Sequence, residues 1–204
     1  MDSNFRDIII RFRDYLSRAG YGNITLDELS VKIDVPKDVL LSYVTNEEEL
    51  IVKVLEFERE QFEEIFKEYD FEGVNAIDIL LTVSKEMARR FKNLSPSITF
   101  DLKKHYPEIY QTHFKNRIDF IYDKIKINLT KGISQGIYRD DLSIELVARL
   151  YLSRLIDLHD PVFFPPDKFS FETLFDVMFE NFVRAIANSN GIAYFEKRKK
   201  QYHL

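Results

Sequence analysis

The chain has no cysteine and no tryptophan, and only 6 glycines and 6 prolines in 204 residues. Without cysteine there is no disulfide scaffold, thiol nucleophile, redox pair or cysteine-ligated zinc. So little glycine and proline supplies too few turns for a loop-rich all-β sandwich, which favours helix. No run approaches 18 apolar residues, and Asp2-Ser3-Asn4 does not open a basic region followed by an apolar one. Neither a membrane span nor a secretory signal is therefore expected, and the expected location is cytoplasmic. Positive charge is not in excess either: 29 basic side chains meet 34 acidic ones, a net of −5. Any attraction to nucleic acid has to come from local geometry and not from the whole-chain field. There is no glycine-rich phosphate loop, no GxSxG, no HExxH and no DxDxDG loop. The glutamates of Glu47–Glu49 and Glu58–Glu64 lack the histidine partner of a di-iron bundle, and His105 and His113 lack a carboxylate at ligand spacing between them. The chain is not expected to be an enzyme: no catalytic residue, no metal site and no cofactor.

What is present is a sustained period of 3.6. Phe5, Ile8, Ile9, Phe12, Tyr15, Leu16 and Ala19 form one apolar face, and Gly20-Tyr21-Gly22 ends that helix. Thr25 and Glu28 have capping-box spacing and open a short helix to about Ile33. Asp34-Val35-Pro36 breaks it, and Pro36 suits the first position of a further short helix to about Val44. Asn46 followed by three glutamates opens a long helix to about Tyr69. Further helices are expected over about 74–91, 95–104, 107–136, 143–158 and 169–187. A rigid connector covers Pro161–Pro166, and Asn188–Gly191 acts as a stop. The last residues, 191–204, carry a net charge of +3 and read as a frayed terminus, with Tyr194 and Phe195 as the groups able to dock it. The expected fold is all-α, with about nine helices and no strand.

Three short helices before residue 45, the last two joined by a tight turn, make a helix-turn-helix corner that can present its last helix to a major groove. Over residues 8–50 the segments Ala19-Gly20-Tyr21, Ile24-Thr25-Leu26-Asp27-Glu28-Leu29-Ser30, Val35-Pro36-Lys37-Asp38-Val39-Leu40-Leu41-Ser42-Tyr43 and Glu48-Glu49-Leu50 resemble the N-terminal domain of tetracycline-repressor (TetR) family regulators. The chain length and the helical remainder agree with that family. The resemblance implies a DNA-binding domain over 1–46 and a helical effector-binding and dimerisation domain over 47–204. It implies a transcriptional regulator, a repressor released by a small-molecule effector. Its partners would be double-stranded DNA with a near-palindromic operator, the effector, and a second copy of the chain.

The residues this implies for DNA contact are Thr25, Pro36, Lys37, Asp38, Leu41, Ser42 and Tyr43. Of the family's usual recognition pattern only Lys37 and Tyr43 are kept. Leu41 stands where an aromatic is usual, Ser42 where a basic residue is usual, and Val44 where phenylalanine is usual. Basic residues are common at the positions of Thr45 and Glu47, so Glu47→Lys is expected to strengthen DNA binding. Residues 1–46 have a net charge of −1. The four arginines of the first helix read equally as a solvated face or as phosphate contacts. The alternative function is therefore a ligand-binding or interaction protein of the same architecture with a decayed DNA-binding surface. In the helical remainder Met87, Phe91, Phe100, Tyr106, Tyr110 and Phe114 are candidates for an apolar pocket, although ordinary core would contain the same residues. Leu146, Leu150, Tyr151, Phe175, Met178, Phe179, Phe182 and Ile186 give two helices more apolar surface than one buried stripe needs, and read as a dimer interface.

Overall fold

The computed structural model describes residues 2–22, 24–91, 97–158, 160, 162–165 and 167–202. Among them are ten helices: α1 (Ser3–Ala19), α2 (Leu26–Lys32), α3 (Lys37–Leu41), α4 (Glu47–Glu68), α5 (Ala76–Phe91), α6 (Ser97–His105), α7 (Pro107–Ser134), α8 (Ile144–Asp157), α9 (Phe171–Ile186) and α10 (Ser189–Tyr202). No strand occurs among the described residues; Tyr138 and Ala187 form one isolated bridge.

Local chemistry explains most of the boundaries. Asp2 caps α1, its carboxylate accepting from the Asn4 amide, and Gly20 ends it at a φ of 78° that a side chain would resist. The Thr25–Glu28 box closes α2 in both directions. Pro36 is extended and stands before α3 as its cap residue, so that helix has only five residues and ends at Leu41, three short of the expected Val44. The larger correction is at the end of the chain. Residues 191–202 of the segment read as a frayed terminus belong to α10. Ala187 caps the end of α9, and Asn188 starts α10, its side chain accepting from the Gly191 amide at 3.0 Å.

The helices build two compact units, Met1–Glu64 with Phe91–Asn116, and Ile65–Arg90 with Arg117–Leu204. In the first unit Ile9, Phe12 and Leu16 of α1 meet Leu29 of α2, Leu40 of α3 and Leu50 and Val54 of α4, all essentially without exposure. In the second, α7 supplies Ile121, Ile125 and Leu129, α9 supplies Met178, Phe179 and Val183, and α10 supplies Phe195. Burial of this kind contributes roughly 1.5–3 kcal/mol per large side chain.

Candidate nucleic-acid interface

The α2–α3 corner is built on apolar anchors. Leu26 and Leu29 point α2 into the first unit, and Ile33, Val35, Leu40 and Val44 do the same for the turn and α3. The tight turn takes Asp34 through a φ of 54°, a left-handed conformation that aspartate tolerates better than most residues. With those side chains inward, Thr25, Pro36, Lys37, Asp38, Leu41 and Ser42 face outward and Tyr43 is half-buried. All seven sequence-predicted contact residues thus belong to one corner of the first unit.

Lys37, Ser42 and Tyr43 on that corner each have a partner. The Lys37 ammonium lies 2.8 Å from the Asp27 carboxylate. The Tyr43 hydroxyl donates to Asp2 at 3.0 Å and accepts from the Asn4 side chain at 3.1 Å, while its ring stacks on Phe5 with centroids 4.5 Å apart. Ser42 donates to the Val39 carbonyl at 2.6 Å. Of the α1 arginines, Arg6 and Arg13 lie over the Phe57 ring at 5.5 and 5.8 Å, and Arg18 donates to the Asp14 carbonyl. Arg11 borders a cleft of about 290 Å³ shared with Asp7, Asp34 and Pro36.

Glu47 has a role that the sequence reading missed. Its carboxylate accepts from the Leu26 amide at 2.8 Å and so satisfies an orphan donor at the start of α2. The start of α4 is closed instead by Asn46, which accepts from the Glu49 amide at 2.9 Å. Glu49 in turn accepts from the amide and hydroxyl of Thr45, and these bonds hold its carboxyl below the usual range. Tyr21, deep in the same unit, has its hydroxyl pushed well up by burial and then by the nearby Glu58 charge.

The residues considered for an effector pocket do not share one unit. Tyr106 and Tyr110 pack against the core of the first unit, and the Tyr110 and Phe114 rings stack at 5.2 Å. Burial raises the Tyr106 hydroxyl pKa, and the Glu47 and Glu48 charges add to it. Met87 is half-buried in the second unit, and the side chains of Phe91 and Phe100 lie outside the described residues. The first unit also carries a cleft of about 280 Å³ between α4 and α7, with Val52, Leu55 and Ile109 as its apolar wall and Arg59, Glu108 and His113 as polar ones. That volume is just under the usual range for small-molecule sites.

The residues considered for dimerisation divide by exposure. Leu146 and Leu150 on α8 are each 61% exposed, while Tyr151, Met178, Phe179 and Ile186 are buried inside the second unit. Phe175 and Phe182 are half-buried, the latter against Tyr151 at 4.4 Å. Val177 on α9, 56% exposed, was missed by the sequence reading although it lies among the apolar residues of that helix.

No protein-family model and no curated protein matches the chain by sequence. Solved structures do match it. A TetR transcription regulator from Haloarcula marismortui superposes with a TM-score of 0.73 at 15% identity, over 90% of this chain and 97% of that one. The TetR family protein CprB from S. coelicolor A3(2) gives 0.71 at 16% identity, over 97% and 96%. The transcriptional regulator FadR from Bacillus subtilis, in complex with stearoyl-CoA, gives 0.66 at 17% identity, over 88% and 97%. The chain has the all-helical fold of TetR-family transcription regulators, over nearly its full length. Among the described residues no helix is long and apolar enough to cross a membrane.

Proposed function

We propose that the chain is a DNA-binding transcriptional regulator, a repressor that a small-molecule effector releases from its operator. The observation that carries this is the α2–α3 corner, set on an apolar base with all seven candidate contact residues on it, within a fold shared with TetR-family regulators. In this reading residues 1–46 bind DNA, and residues 47–204 take the effector and a second copy of the chain. Two copies present two corners to successive major grooves, so the operator is a near-palindrome. Effector binding then favours a dimer whose corners no longer match the groove spacing, and the coupling works in both directions. The stearoyl-CoA in the FadR neighbour is a precedent for a ligand in this fold, and the identity of this chain's own effector is open to screening.

Selection from random duplex DNA by the purified protein tests the reading. Enrichment of a near-palindrome is expected, and Lys37→Ala should weaken binding to the enriched duplex. With few cations on the corner, the log–log salt slope should correspond to a few phosphates per dimer, well short of the roughly 10 of a strongly basic repressor. No enriched sequence would favour the second reading, an interaction or ligand-binding protein on the same scaffold. The net charge of −1 over residues 1–46 and the acidic partner of Lys37 speak for that alternative.

A further inference from the structure

We infer that Asp2 and Asp27 are built-in competitors for phosphate, each carboxylate holding from within the first unit one of the two groups on the recognition corner best suited to a DNA backbone, Tyr43 and Lys37. The inference rests on the DNA-binding reading. It adds that the corner is guarded against non-specific DNA by its own acids.

The geometry is specific at both places. Lys37 carries the one basic charge of α3, and its ammonium meets Asp27 at 2.8 Å with both side chains substantially exposed, 46% and 73%. A pair this open to water is weak, so a phosphate can displace the carboxylate. The displaced charge then stays beside the DNA and offsets part of the gain. A tyrosine hydroxyl has one hydrogen to give. The hydrogen of Tyr43 goes to Asp2 at 3.0 Å, while the Asn4 side chain donates to the Tyr43 hydroxyl oxygen and the Phe5 ring holds the aromatic plane. Asp2 also caps α1 through the Asn4 amide, so it is held in place independently of Tyr43. Both acids come from elements other than α3, 10 and 41 residues away from the groups they hold.

Ordinary phosphate contact depends on unpaired cations and donors and is indifferent to sequence. Here those groups are released only when a phosphate reaches the right place. A duplex whose base contacts fix the corner in register repays the displacement of both carboxylates, and a random duplex does not. The guards therefore penalise the wrong partner more than the right one.

The test uses the full chain and three variants. Asp27→Asn removes the charge beside Lys37. Asp2→Ser keeps a capping side chain for α1 but is too short to reach Tyr43. Asp34→Asn is the control: exposed, on the same unit, with a φ that asparagine tolerates, and the same change in charge. Binding to a random-sequence duplex and to the selected duplex is read by fluorescence anisotropy between 50 and 200 mM salt. Asp27→Asn should steepen the salt slope on random duplex by about 0.9 per subunit, because one cation is freed. Asp2→Ser should tighten binding at fixed salt with the slope unchanged, because the freed donor is neutral. Both should narrow the gap between selected and random duplex. Variants that move no further than Asp34→Asn, while the parent binds the selected duplex, overturn the inference and leave the DNA reading standing. If no protein binds any duplex, the DNA reading fails, and NMR titration with inorganic phosphate decides the inference by itself. Shifts at Lys37 and Tyr43 confined to the two guard variants uphold it; equal shifts in all four proteins, or none, overturn it.

Discussion

Gly132 shows how little room single positions leave. A Cβ there would lie 2.0 Å from the ring of Tyr138, whose buried hydroxyl donates to Asn128 at 3.0 Å. Asn128 in turn donates to the Ala76 carbonyl at 2.9 Å, so the ring cannot swing away without breaking a buried network, and burial drives the Tyr138 pKa far up. Gly132→Ala is expected to cost about 1–3 kcal/mol, read as a lower urea midpoint with unchanged m-value. Glu47 matters at the same scale for a different reason. The sequence resemblance makes Glu47→Lys a candidate for stronger DNA binding, but the carboxylate closes the start of α2. The variant loses that acceptor and places a cation at the positive end of a helix. It should therefore destabilise the protein by about 1 kcal/mol in urea titration whatever it does to DNA affinity.

At the scale of elements, α10 makes the chain's last described residues part of the second unit. Phe195 is 1% exposed, Tyr194 and Arg198 both engage Asp78, and Lys199 pairs with Glu180 of α9. Deleting residues 189–204 should lower the melting temperature clearly, since loss of Phe195 burial alone is worth roughly 1.5–3 kcal/mol. An unchanged melting curve would show that α10 contributes nothing. The same contacts set a pH dependence. Hydrogen bonds from Lys199 and then Arg184 hold the Glu180 carboxyl below its ordinary value, and the Arg89 and Arg90 hydrogen bonds do the same for Glu86 against its burial. A carboxyl depressed in the folded state stabilises the fold above the unfolded value of about 4.3, and that contribution drains away as pH falls below it. Thermal unfolding followed from pH 6 to 3 should show this acid-side loss, and Glu180→Gln should flatten it.

At the scale of the whole molecule, most of the large apolar side chains exposed among the described residues fall between positions 146 and 177. They include Leu146 and Leu150 on α8, Val162 and Phe163 in the connector, and Val177 on α9. Apolar side chains this exposed are costly to leave in water, and in the proposed reading they are where the second copy packs. Sedimentation at micromolar concentration is expected to give twice the 24.3 kDa chain mass. Leu150→Glu with Val177→Glu should return it to one chain mass with the helical circular dichroism intact. A wild-type monomer would remove the dimer from the proposed function.

The sequence by itself determined the elements whose causes are local. Thr25 and Glu28 are three residues apart, Gly20 has no Cβ to oppose its turn, and the apolar period of α1, α4 and α9 needs no partner to be read. The helices of the corner were legible for that reason, whereas its candidate contact residues came from the family resemblance. Only the tertiary structure decided what those residues do with their polar groups. Glu47 reaches Leu26 across 21 residues, Tyr43 reaches Asp2 across 41, and Arg198 reaches Asp78 across 120. Helix α10 belongs with them. A 14-residue segment with four basic side chains is a marginal helix in water, and it becomes stable where α9 and α5 supply Glu180 and Asp78 and the unit buries Phe195. Caps and periods are written within a few residues of themselves, whereas a partner is chosen by which surfaces meet once the helices pack.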